Sequence, residues 1–101
     1  MTEMAKLAAL LTEACIPFEN NLLFDTSQII YPSNQNRVCD VICHKYSCGY
    51  EKGLLEIMGL TDNEGGVEGC LTAEEVFDKI NKHYMIKEVH TNPVSRVLYL
   101  W

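Results

Sequence analysis

Two stretches of the chain carry hydrophobic residues at helical spacing. In Thr2–Cys15 the apolar positions recur along one helical face, the first residue is placed to cap the helix, and Pro17 is placed to end it. Farther along, Thr72 and Glu75 form a capping box ahead of a second apolar face. The pattern predicts a second helix that begins at Thr72 and ends near His83.

Between these helices the apolar residues come in short runs separated by turn-forming residues. Ser27–Tyr31 and Arg37–His44 are predicted strands, and the second is apolar on both faces, which indicates a central strand. Asn20-Asn21 is interpreted as a turn, and Val94–Trp101 as a last strand. Leu54–Leu60 fits either a buried strand or a short helix, and we favour the helix.

These elements together predict an α+β fold. We expect one domain over residues 1–101, with a core at 2–84 and a C-terminal tail strand at 94–101. Its small antiparallel or mixed sheet would have about three to five strands, with two main helices packed on one face. Lys45–Gly53 and Thr61–Gly69 are expected to be loops.

Charge and composition narrow the classes of function. The chain has 14 acidic and 8 basic side chains, a formal charge of −6, and 5 cysteines. An acidic surface repels phosphate backbones, so we expect no nucleic acid partner; a DNA mimic is a less favoured interpretation. No signal peptide and no apolar run of about 20 residues is evident, so we expect no membrane partner and a cytoplasmic location. Cysteines in that compartment are expected to be reduced thiols.

Most candidate chemistry lies in Val38–Leu60. A pattern of zinc-binding residue types, C-x3-C-H-x3-C, is formed by Cys39, Cys43, His44 and Cys48. On a strand Cys39 and Cys43 share one face while His44 faces the other way, so packing is the favoured role of these two cysteines. A nucleophilic Cys48 paired with a histidine would lack any oxyanion-hole signature.

A small metal-dependent hydrolase or nuclease is the alternative from a different class. The predicted element order loosely resembles the core of PD-(D/E)XK nucleases, whose aspartate and glutamate hold magnesium. Asp40 and Glu56 are the candidates for these carboxylates. The lysine expected two residues after the glutamate is Met58 in this chain, so the motif is incomplete.

The favoured site is non-catalytic and centres on the loop His44–Gly53. Its tyrosines offer aromatic faces, its lysines offer positive charge, and its glycines allow close backbone approach. The candidate ligand-binding residues are His44, Lys45, Tyr46, Tyr50, Lys52, Tyr31 and Arg37. We expect no catalytic residue, no metal and no cofactor. An ordinary surface loop is the competing interpretation of the same residues.

Four sequence motifs stand out: Ala14-Cys15-Ile16-Pro17, Tyr31-Pro32-Ser33, Val38–Leu60 and Val67–Phe77. In these motifs the chain resembles small uncharacterised proteins of phages and prophages in Firmicute bacteria. The resemblance covers most of residues 3–84 and does not extend to 85–101. By analogy it implies a non-enzymatic binding protein with an anti-defence role, which blocks a host protein or sequesters a small nucleotide signal. Tyr99 and Trp101 in the tail would also suit a homo-oligomer interface.

Overall fold

The computed structural model describes residues 2–23, 26–43, 52–62 and 64–91. These ranges contain two helices and a five-stranded antiparallel sheet. The helices are α1 (Glu3–Glu13) and α2 (Ala73–Thr91). The strands are β1 (Glu19–Leu23), β2 (Thr26–Tyr31), β3 (Cys39–Ile42), β4 (Leu55–Met58) and β5 (Val67–Leu71). They lie side by side in chain order, which confirms the predicted α+β class and the central place of β3.

One face of the sheet packs against both helices. Ile29 of β2 lies opposite Val41 of β3, and Val41 lies opposite Ile57 of β4. These three side chains are fully buried in the main hydrophobic cluster. The helix residues of the same cluster include Leu7, Leu11, Val76 and Ile80. We call this the helix-facing side of the sheet.

The alternating direction of the side chains along each strand determines which residues lie on the opposite side of the sheet. Side chains of successive strand residues point to opposite faces, so the neighbours of the helix-facing residues share what we call the second face. Its members on the three middle strands are Thr26, Gln28, Ile30, Asp40, Ile42, Glu56 and Met58. The second face is therefore mixed in polarity, whereas the helix-facing side is apolar.

Both helices begin at the predicted caps. Thr2 Oγ1 accepts the Ala5 N–H at 3.1 Å, and Thr72 Oγ1 accepts the Glu75 N–H at 3.2 Å. The predicted end of the second helix near His83 is wrong, because α2 continues to Thr91. No glycine or proline interrupts the sequence between His83 and Pro93, so nothing in it breaks the helix at the predicted position. None of the described helices has the length and apolar composition to cross a membrane.

The helix favoured for Leu54–Leu60 is also wrong, because this segment forms β4. Leu55 and Ile57 are fully buried while Met58 is exposed, which is the alternation of a strand. β4 pairs with β3 on one side and β5 on the other, and this non-local pairing decides what local periodicity leaves open. β5 begins at Val67, so the loop predicted for Thr61–Gly69 is wrong from Val67 onward.

Asn20-Asn21 is not a turn but the middle of β1. The two residues pair with Ile29 and Gln28 of β2 in an unbroken register. Asn21 Nδ2 donates to Asn34 Oδ1 at 2.6 Å, so this amide bonds to a residue beyond β2 rather than to its own backbone. The predicted last strand, Val94–Trp101, lies outside the described residues.

A carboxylate of α1 joins the two helices. Glu3 Oε1 accepts the Ala73 N–H at the start of α2 at 2.8 Å, and Glu3 Oε2 lies 3.0 Å from Lys6 Nζ. The bond from the Ala73 N–H, and secondarily the bond with Lys6, lower the pKa of Glu3. One carboxylate thus links the first turns of both helices.

We expect Gly59→Ala to lower the free energy of unfolding by more than about 1 kcal/mol. The φ angle of Gly59 is +99°, and a Cβ there would lie 2.5 Å from the carbonyl oxygen of Val38. Gly65→Ala is the control, since its φ is +83° but its Cβ would meet nothing within 4 Å. Chemical denaturation measures both variants. A loss for Gly59→Ala no larger than that for Gly65→Ala would contradict the close approach to β3.

We expect Glu3→Gln to cost about 0.5–1 kcal/mol of unfolding free energy at neutral pH. Because the pKa of Glu3 is lowered in the folded state, its contribution is present above the unfolded pKa and is lost as pH falls through the folded pKa. The difference between the wild type and Glu3→Gln should therefore shrink toward acid pH. Denaturation curves between neutral and acid pH measure it, with Glu13→Gln, at the other end of α1, as the control. A difference that stays constant with pH would refute the assignment.

Candidate functional site

A pocket of about 380 Å³ lies at one end of the sheet, beside the first turn of α1. Its volume falls in the range of about 300–1,000 Å³ that is typical of small-molecule sites. The described residues that line it are Thr2, Glu3, Met4, Thr26, Ser27, Cys43, Lys52 and Gly53. The start of α1, the start of β2 and the end of β3 thus contribute to one cavity.

The pocket combines a cation, the acidic residue Glu3, hydroxyl groups and an apolar wall. Lys52 is exposed and supplies positive charge, while Met4 and Cys43 supply apolar surface. The backbone N–H groups of Glu3 and Met4 belong to the first turn of α1, where an α-helix offers no internal acceptor. Helix N–H groups and a lysine both favour a negatively charged ligand. The arrangement suits a small anion that also has an apolar part.

The structure places only some of the predicted ligand-binding residues. Lys52 lines the pocket, and Arg37 is exposed in the connection between β2 and β3. Arg37 precedes β3 and Cys43 follows it, so the two residues are about 20 Å apart along an extended chain. Arg37 therefore belongs to the end of the sheet away from the pocket.

The remaining loop residues lie outside the described residues. They are His44, Lys45, Tyr46 and Tyr50. Their roles in binding stay predictions. Cys43 and Lys52 are the described residues that flank this segment, and both line the pocket. The segment between Cys43 and Lys52 is therefore joined at both ends to residues that line the pocket.

Tyr31, another predicted ligand residue, is buried beneath α2. Its hydroxyl lies 2.8 Å from Nδ1 of His83, and the two rings meet edge to face with centroids 5.5 Å apart. Burial, with smaller effects of Cys39 and Tyr84, raises the pKa of Tyr31 to about 12. The tyrosine thus joins the sheet to α2. No local sequence signal identifies this partner, because the two residues are 52 positions apart.

Cys39 and Cys43 show the features of packed thiols, whereas Cys15 and Cys70 are exposed. Cys39 is 1% exposed, and burial, followed by the charge of Asp40, raises its pKa to about 12. A protonated thiol is a poor nucleophile and a poor metal ligand. Cys43 is half-buried and packs against the core, and burial raises its pKa as well. In the described ranges the cysteines are free, and no three metal-ligating side chains come together.

The two carboxylates of the hydrolase alternative share the second face of the sheet. Asp40 lies opposite Met58, and Glu56 lies opposite Ile42, so the acids are diagonal neighbours on β3 and β4. Gln28 Nε2 donates to Asp40 Oδ2 at 2.7 Å, and both of these side chains are buried. The Asp40 carboxylate is therefore held by the neighbouring strand.

Comparison with known proteins gives no relative from which a role can be transferred. No protein-family model matches the chain, and neither a curated protein nor a solved structure matches it. Function is therefore argued from the site itself.

We expect iodoacetamide to modify Cys15 and Cys70 in the folded protein while Cys39 stays unmodified. Cys15 and Cys70 are exposed, whereas burial keeps the Cys39 thiol protonated well above neutral pH. Peptide mass spectrometry after a short reaction near neutral pH measures each site. The urea-unfolded protein is the control, in which Cys39 should react like the others. Modification of Cys39 in the folded protein at the rate of Cys15 would contradict the packing role.

Proposed function

We propose that this chain is a non-enzymatic binding protein that holds a small nucleotide-like anion in the pocket beside α1. The observation that carries the proposal is the position of Lys52 in a cavity of about 380 Å³ that also has an apolar wall. A nucleotide offers both a phosphate for the lysine and a base for the apolar surface. Pockets of this kind bind through a few placed polar groups in a largely apolar lining.

The charge distribution supports Lys52 as the anchor. The formal charge of −6 disfavours an anion over most of the surface, so a bound phosphate needs a local cation. Three other lysines, Lys6, Lys79 and Lys82, are paired with carboxylates of the chain. Among the ion pairs between described residues, none uses Lys52. Lys52 is therefore the lysine that the proposal assigns to the phosphate.

The biological role follows from the resemblance to phage and prophage proteins. Small accessory proteins of this kind act by binding, and a nucleotide pocket supports sequestration of a small nucleotide signal in an anti-defence role. Blocking a host protein is the other mode that the resemblance implies. The pocket favours sequestration, because a cavity of this size fits a small molecule better than a protein surface.

We expect 5′-AMP and cyclic di-AMP to shift the amide resonances of pocket residues such as Met4 and Ser27, and adenosine to shift them far less. The difference reports the contribution of phosphate. Lys52→Gln should weaken binding of the phosphate-bearing probes about ten- to a hundredfold, since a charge-assisted hydrogen bond contributes about 1.5–3 kcal/mol. Titrations followed by ¹H–¹⁵N NMR spectra measure both effects.

Lys82→Gln is the matched control, because Lys82 is a 73% exposed lysine of α2 that does not line the pocket. It should bind the probes like the wild type. The proposal fails if neither phosphate-bearing probe shifts the pocket amides. It also fails if Lys52→Gln and Lys82→Gln bind the probes equally well.

A further inference from the structure

The two edges of the sheet differ in how they are protected against pairing with another chain. β5 forms one edge, and its register with β4 is interrupted between Leu55 and Ile57. Cys70 in β5 has a φ of +61°, and Glu68 is tied to Lys79 by an ion pair of 3.0 Å. Irregular pairing and engaged charges are common ways in which proteins prevent edge-to-edge association. The β5 edge is protected in this way.

The described part of the β1 edge shows none of this irregular pairing. Its five residues pair with β2 in an unbroken register, and its sequence ENNLL contains no lysine and no proline. Leu22 is 77% exposed, and Glu19 and Asn20 are exposed beside it. A regularly paired, exposed edge strand of this kind is a template for an added strand.

Contacts within the chain hold β1 in the conformation that such pairing requires. Glu19 Oε2 accepts the Asn34 N–H at 2.5 Å, and the side chains of Asn21 and Asn34 bond to each other. These bonds lie on the second face of the sheet, where Glu19 and Asn21 are placed by their pairing with Ile30 and Gln28. A strand that is already ordered loses less entropy when a partner pairs with it.

We propose that the β1 edge is an interface with a second copy of this chain, which pairs antiparallel across a twofold axis at Asn21. This register places Asn20 of each copy opposite Leu22 of the other, and Glu19 opposite position 23. Glu19 of one copy therefore does not lie opposite Glu19 of the other, so this register brings no two like charges directly together. The two Leu22 side chains become diagonal neighbours, about 7–8 Å apart, and cover each other's exposed surface.

The same pairing brings the second copy near the pocket. Leu22 is the direct partner of Ser27, which lines the pocket. The added strand would pair with the other side of β1, which lies between it and Ser27. The interface stands on the β1 edge alone and does not depend on what the pocket binds.

Sedimentation velocity over a concentration series tests the interface. The wild type should approach twice its chain mass of 11.5 kDa as concentration rises, and Leu22→Lys should remain at the mass of one chain. Lysine on an edge strand opposes pairing, and Leu22 is exposed enough to accept it without loss of the fold. Met85→Lys is the matched control, since Met85 is a 56% exposed apolar residue of α2, and it should associate like the wild type.

Amide hydrogen exchange gives a second readout on the unmodified protein. The amides of β1 should gain protection as concentration rises, whereas those of β5 should not. A wild type that stays monomeric throughout the series overturns the proposal. Association that survives Leu22→Lys, or that Met85→Lys abolishes instead, also overturns it, because the contact would then lie elsewhere.

Discussion

The fold depends on the burial of one face of the sheet beneath two helices. Val41 lies at the centre of this layer, with Ile29 and Ile57 on either side of it. Since side chains alternate along a strand, a slip of one residue in β3 would bring Asp40 under the helices in place of Val41. The cost of burying that carboxylate against apolar side chains fixes the register. The register in turn places Asp40 beside Gln28 on the second face.

The same packing decides which residues can act together. α1 lies over the sheet with its first turn near the start of β2 and the end of β3, and the pocket is formed there. Tyr31 is at the other end of β2, where its hydroxyl meets His83 of α2. Those predicted ligand-binding residues that the structure describes are thus divided between the two ends of the sheet. Only Lys52 among the described ones lines the pocket.

The sequence predicts those features that are set by residues close together in the chain. Thr2, and Thr72 with Glu75, cap helices through bonds three residues apart, so both starts are correct. β4 depends on pairing with β3 and β5, and no window around Leu54–Leu60 contains that information. Asn20-Asn21 has turn-forming residues, yet pairing with β2 places it in a strand. The pocket is a product of such non-local pairing, so its position could not be predicted even though Lys52 was.

The pKa shifts of two described pocket residues agree with the proposed binding role. A general acid or base works best with a pKa near the working pH. The pKa of Glu3 is instead lowered, because its carboxylate accepts the Ala73 N–H and pairs with Lys6. The pKa of Cys43 is raised by burial, so its thiol keeps its proton. The pKa values of both groups are thus shifted away from neutral pH, so Glu3 contributes a fixed charge and Cys43 contributes apolar surface. In the binding role that we propose, Lys52 would hold the anion, while these two groups are poorly suited to exchange protons with it.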